Sequence, residues 1–304
     1  LLSHFFESLH LDAAESYLFW AFLALWLLIG LRYLLRWRVF RAQPLHDAPL
    51  RPNHLAAGWH IVVAGVLFVL LPALFVSVLL GPITLSCANE DTRQTRKLIL
   101  YGLAIAVCGL AMLGLCKYAF QHGLGRKGLG QNDPIRGAVW GLLAMGVSYP
   151  ILLVVMQGIT LISQQLRLGA PLPKHPVLQI LEKSPSAGLV GVAILAAGVV
   201  APLVEELLFR GMLQSALVGV WPKKDHPPAW WRWGAIMLVG VLFALMHWDR
   251  EQANYEVFLP LFLLSLVAGY VYERTGNLWS AITVHMVFNV ISLLATLAGL
   301  SKGL

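Results

Sequence analysis

The chain has 304 residues, of which 58% are hydrophobic and only 12% charged, and its mean hydropathy is +0.72. A soluble domain carries about 25% charged residues, so this composition excludes an ordinary soluble globular protein. The net charge of +7 falls mostly in short loops between apolar runs near 20 residues long, where it marks membrane topology rather than a nucleic-acid footprint. Lipid offers exposed backbone groups no partner, and the short alternating segments of a β-barrel are absent, so the expected fold is an all-α polytopic membrane helix bundle.

The first apolar run, 17–35, is followed by Arg36, Arg38 and Arg41, with Arg32 inside it. This cluster places the amino terminus outside. The opening residues carry no basic signal-peptide region, and the chain starts without Met, as a trimmed chain would. A Pro-rich connector leads to a second run, 59–80, in which Pro72 predicts a kink. The third run, 98–120, ends at a Gly-rich basic loop that no strand precedes and no Lys-Ser/Thr pair follows, so it reads as a cytoplasmic connector rather than a phosphate cradle. The fourth run, 135–162, exceeds one membrane thickness and should tilt or extend past it. Cys87, Cys108 and Cys116 lack metal or disulfide spacing, and the last two read as core filling.

A polar, Pro-rich stretch, 166–186, should form an outside loop. It divides the chain into an amino-terminal part, 1–186, with about four spans, and a second part, 187–300, of the same membrane domain. The run 187–220 is 34 residues long, too long for one simple span, and Pro202 should break or kink it. Trp221–Trp233 suits an interfacial aromatic belt. The runs 233–248, 257–272 and 278–300 complete a count of about eight spans.

Chemistry concentrates in the second part. Ala201–Gln214 places Glu205, Glu206 and Arg210 in an apolar helix, where each charge costs roughly 2.5–3.5 kcal/mol at membrane depth. Glu206 and Arg210 are i,i+4 neighbours able to pair. Glu205 is turned about 100° away and has no local counter-charge, which suits a group that takes and returns a proton. His247 closes one span, with Phe243 a turn before it on the same face. His285 and Asn289 share a face of the last run. A Glu and a His can hold and deprotonate a water, and a second His with an amide can stabilise a developing oxyanion. The same Glu205, His247, His285 and Asn289 could instead ligate a divalent cation such as zinc.

These three motifs, E-E-x-x-x-R, F-x-x-x-H and H-x-x-x-N, in this order on membrane helices, resemble the CPBP family of intramembrane proteases. That family includes type II CAAX prenyl endopeptidases and bacteriocin-processing and self-immunity relatives. The phrase VYERTGNLWSAITVHMVFN resembles its last motif, with a Gly-Asn turn before the final helix. The resemblance implies that Glu205 and His247 activate water, that His285 and Asn289 form the oxyanion site, and that Glu206, Arg210 and Phe243 support them. It describes both metal-dependent and metal-independent members, and the H-E-x-x-H zinc motif is absent. It implies a peptide or membrane-associated protein substrate within the lipid bilayer and no nucleic-acid partner. The expected location is a bacterial inner membrane, although an endoplasmic reticulum membrane fits the loop charge about as well. A proton-coupled transporter would use similar buried groups, but would often show repeat-related broken helices in both halves. A non-catalytic immunity or scaffold protein is the third reading. Counting helical rise puts His285 roughly 10 Å and His247 roughly 20 Å from the inner surface, so the two must be brought together by tilt, a short span or a different boundary near Trp233.

Overall fold

The computed structural model describes residues 13–36, 45, 62–66, 68, 70, 90–120, 133–165, 187–221, 226–247 and 255–301. They form helices α1 (Ala13–Arg36), α2 (Glu90–Phe120), α3 (Pro134–Gln165), α4 (Ala187–Gly219), α5 (Ala229–Met246), α6 (Tyr255–Thr275) and α7 (Leu278–Ser301). No β-strand occurs among the described residues. Seven of the expected apolar runs are therefore helices, and of the second only part is described, also helical. The kink expected at Pro72, the Gly-rich loop, the 166–186 loop and Cys87 lie outside the described residues. Cys108 is buried in the core, as expected of core filling.

Five of these helices (parts of α2 and α3, all of α4 and α5, and most of α7) are long and apolar enough to cross a membrane. The distribution of side chains agrees. Large apolar residues such as Leu28, Leu110, Leu142 and Leu195 point outward, while Glu206, Arg210, Gln214, Arg232 and Glu273 are buried. That arrangement suits lipid outside and a packed polar interior. The protein is a multi-pass integral membrane helix bundle.

Three local devices set the helix positions. Asp133 caps α3, its Oδ1 accepting the Arg136 N–H at 2.9 Å, with Pro134 opening the helix. Gly276, at φ 64°, ends α6 by donating its N–H to the Tyr272 carbonyl at 2.9 Å. Asn277 then caps α7 by accepting the Trp279 N–H at 3.0 Å, and its Nδ2 donates to the Asp133 carbonyl at 2.9 Å. The Gly-Asn turn read from the sequence is thus also a clasp between the starts of α3 and α7. Along that seam, a Cβ on Gly141 would lie 2.6 Å from both the Ser280 carbonyl oxygen and the Thr283 Cβ, so only glycine permits this helix spacing.

Pro202 does not break α4. The run 187–219 is one continuous helix with π-helical segments at Ile194–Val200 and Leu207–Gln214, on either side of the α-helical turn Ala201–Glu206. The Ala201 N–H bonds five residues back to the Ala196 carbonyl. In that register Pro202 would bond Ala197, but it has no N–H to give. Asn289 Nδ2 donates to the Ala197 carbonyl at 2.8 Å instead. The missing bond expected at Pro202 is real, and α7 supplies its replacement. A π segment of this kind commonly marks a functional region.

Candidate active site

The centre of the site is built by α4, α5 and α7. Glu206 is fully buried, and its Oε1 accepts from Arg210 Nη1 at 2.9 Å and from His285 Nδ1 at 2.9 Å. Arg210 is fixed further by Nη2, which donates to the Ser265 Oγ at 2.7 Å and its carbonyl at 3.1 Å on α6. The expected Glu206–Arg210 pair is present, and the same carboxylate also orients a histidine 79 positions away. Glu206 is therefore part of the site's geometry and not only a brace for α4.

Glu205 occupies the other side of His285. Its Oε2 lies 3.8 Å from His285 Nε2 and 3.8 Å from His247 Nε2. This oxygen is buried and has no hydrogen-bond partner among the protein atoms. His247 follows the last residue of α5, and its Nδ1 donates to the Phe243 carbonyl at 2.9 Å. With Nδ1 of each ring committed to an acceptor, it is Nε2 of each that lies toward Glu205 Oε2, as a lone pair on a neutral ring and as a donor on a protonated one. With both rings neutral and Glu205 ionised, three acceptor atoms would face one another with no donor between them. A buried set of this kind needs a proton, a water or a cation.

Phe243 organises the rings. It is fully buried, 4.8 Å from the His247 ring and edge-on to His285 at 5.3 Å, while the Arg210 guanidinium sits 5.1 Å above its centre. Each ring is held from two sides, the arrangement preorganised chemistry requires. Asn289 lies one turn beyond His285, and one of its two N–H groups goes to Ala197. His247 and His285 meet despite their unequal rise counts. The boundary does not explain this: α5 begins at Ala229, before the expected Trp233, which lengthens the His247 count. Counted rise equals depth only for helices that start level and stand upright.

A second polar chain was not legible in the motifs. Gln214 Nε2 donates to Glu273 Oε2 at 3.1 Å and to the Gly269 carbonyl at 3.0 Å, and Arg232 Nη1 pairs with Glu273 Oε1. Ser215 Oγ bonds both the Arg210 carbonyl and the Tyr272 hydroxyl, each at 2.9 Å. Arg210, Gln214 and Ser215 thereby tie α4 to α6 over two turns, while Arg232 adds α5. Arg232 sits among tryptophans and Glu273 next to Arg274 near a helix end, positions that resemble solvated interface in sequence. The only available signal was that both charges border apolar runs.

In donor type, Glu205 with two imidazoles matches a catalytic divalent-metal set. Donors around a tetrahedral zinc stand about 3.3 Å apart, so the 3.8 Å separations would have to close by about half an ångström. No group of three or more His, Cys, Asp or Glu among the described residues meets metal-binding geometry as placed. The donor set fits in kind, and its spacing is slightly open.

A membrane helix bundle with a buried Glu/His cluster defines the class of this protein. Residues 187–291, a little over a third of the chain, match the family model described as type II CAAX prenyl endopeptidase Rce1-like. That segment holds all seven motif residues, so the resemblance to CPBP proteases holds over the part that builds the site. Among curated proteins, the chain is 29% identical over 87 residues to "Uncharacterized protein YpbD" of Bacillus subtilis (strain 168), covering 29% of this chain and 36% of that protein. It is 27% identical over 158 residues to "Uncharacterized 24.3 kDa protein" of Escherichia coli, covering 52% of this chain and 64% of that protein. The chain therefore spans less than two thirds of either relative. No solved structure matches.

Proposed function

We propose that the protein is an intramembrane endopeptidase in which Glu205 activates a water for attack on a peptide bond. The observation that carries this reading is the unpartnered Glu205 Oε2, 3.8 Å from each of two imidazole nitrogens inside a bundle. A water between Glu205 and His247 satisfies two of the three facing acceptors at once. Glu205 takes its proton as the oxygen attacks the carbonyl carbon. His285, held by Glu206, donates from Nε2 to the developing oxyanion when it carries a proton, and the remaining Asn289 N–H is the second donor. Glu205 returns the proton to the leaving nitrogen, giving a new carboxyl and a new amine. Should a divalent ion be resident, Glu205, His247 and His285 would hold it, and it would supply a more acidic bound water. A chelation series on purified protein separates the two forms.

The Rce1-like match favours a membrane-associated protein substrate, including prenylated CAAX ends, and the bacterial sources of the two relatives favour a bacterial cell membrane. A membrane-fraction proteome of cells carrying wild type or Glu205→Gln tests the function and names the substrate. Peptides that accumulate only with the variant support proteolysis, and identical proteomes favour an immunity or scaffold role.

A further inference from the structure

A cavity of about 730 Å³ lies between α3 and α6, flanked by Leu34 of α1 and Trp233 of α5. Its lining includes none of Glu205, His247, His285 and Asn289, so it is separate from the candidate active site. Its size falls within the roughly 300–1,000 Å³ of small-molecule sites and is far too small for a folded partner.

The lining is graded along its length. Val147 and Ile151 of α3 face Leu263 and Val267 of α6 over most of it. At one end stand Arg136, in the first turn of α3, and Arg274, in the last turn of α6. Both are exposed. The Asn277–Asp133 bond ties these helix ends together, so both guanidiniums stand at the same end of the bundle. Arg274 is hydrogen-bonded to Tyr270, which also lines the cavity. Leu34 adds the Arg32–Arg36 end of α1, the end that the positive-inside rule assigns to the cytoplasm. An apolar slot three turns long that ends at two cations on the cytoplasmic side has the polarity of an amphiphile with an anionic head.

We propose that this cavity binds one anionic phospholipid of the cytoplasmic leaflet, its acyl chain between α3 and α6 and its phosphate at Arg136 and Arg274. Basic pockets between membrane helices on that side are suited to acidic head groups. A zwitterionic lipid brings its own cation to the same place and gains less. This inference does not depend on proteolysis.

The test is native mass spectrometry of the purified full chain, titrated with dioleoyl phosphatidylglycerol or dioleoyl phosphatidylcholine. Binding of the anionic lipid should be roughly thirtyfold tighter, the effect of two arginines at about 1 kcal/mol each. Arg136→Gln/Arg274→Gln should remove that preference and leave phosphatidylcholine binding unchanged. Ala144→Phe, which fills the slot and keeps both arginines, should lower binding of the anionic lipid as well. Circular dichroism checks that each variant keeps its helices. Equal affinity for the two lipids, or a preference that survives the double substitution, overturns the proposal. So does loss in the arginine variant with none in Ala144→Phe, which would place the lipid on the surface. Displacement by inorganic phosphate at equal concentration would also overturn it, by showing that the acyl chain contributes nothing.

Discussion

Arg210→Met tests how the site is held together. The substitution keeps volume and removes a guanidinium that makes three hydrogen bonds, one to Glu206 and two to Ser265. It leaves the fully buried Glu206 carboxylate with His285 as its one remaining described partner, since Oε2 has none. Breaking a buried pair from one side costs about 3–5 kcal/mol, because the partner charge is stranded. The lost contact with Phe243 adds up to about 1–2 kcal/mol. Glu206→Gln/Arg210→Met removes both charges, so it should be less destabilised than Arg210→Met alone by about 2 kcal/mol or more. Unfolding in mixed micelles on titration with dodecyl sulfate, followed by the fluorescence of the chain's 11 tryptophans, measures all three variants. Additive losses, or an Arg210→Met protein as stable as wild type, would refute the stranded-charge argument.

Other outcomes follow from single contacts. Asn289→Ala should cost about 0.6–2 kcal/mol by leaving the Ala197 carbonyl unpaired beside Pro202, read as a lower unfolding midpoint in the same titration. Gly141→Leu should force α3 from α7 and cost about 1–3 kcal/mol or more, because even a Cβ there meets backbone oxygen at 2.6 Å; Gly146→Leu, with open space at its Cβ, should be nearly neutral by the same measurement. Phe243→Ala should reduce cleavage more than its packing loss implies, because both imidazoles lose a wall; the comparison is turnover per folded molecule.

The residues of the candidate site were legible in the sequence because charge inside an apolar run is conspicuous. Glu205, Glu206, Arg210, His247 and His285 needed only spacing and hydropathy to stand out, and the structure gathers them. The contact between Glu206 and His285 was not legible, since it depends on how α7 crosses α4 across 79 positions. Local pairing with Arg210 satisfied the sequence argument before that second partner could be suspected. Pro202 shows the opposite limit. The rule about its missing N–H was correct, but a π register and a distant amide absorbed the cost, so the helix runs on. Arg232 and Glu273 were hidden for a simpler reason: a charge near a helix end is usually solvated, and only packing shows that these two are not.

The central claim is that Glu205 does the chemistry while its neighbours position it. The most direct measurement is the cleavage rate of a membrane peptide substrate by purified wild type and Glu205→Gln, each checked for its unfolding midpoint. A loss of about a hundredfold or more at unchanged stability is the predicted result. Turnover equal to wild type would contradict it.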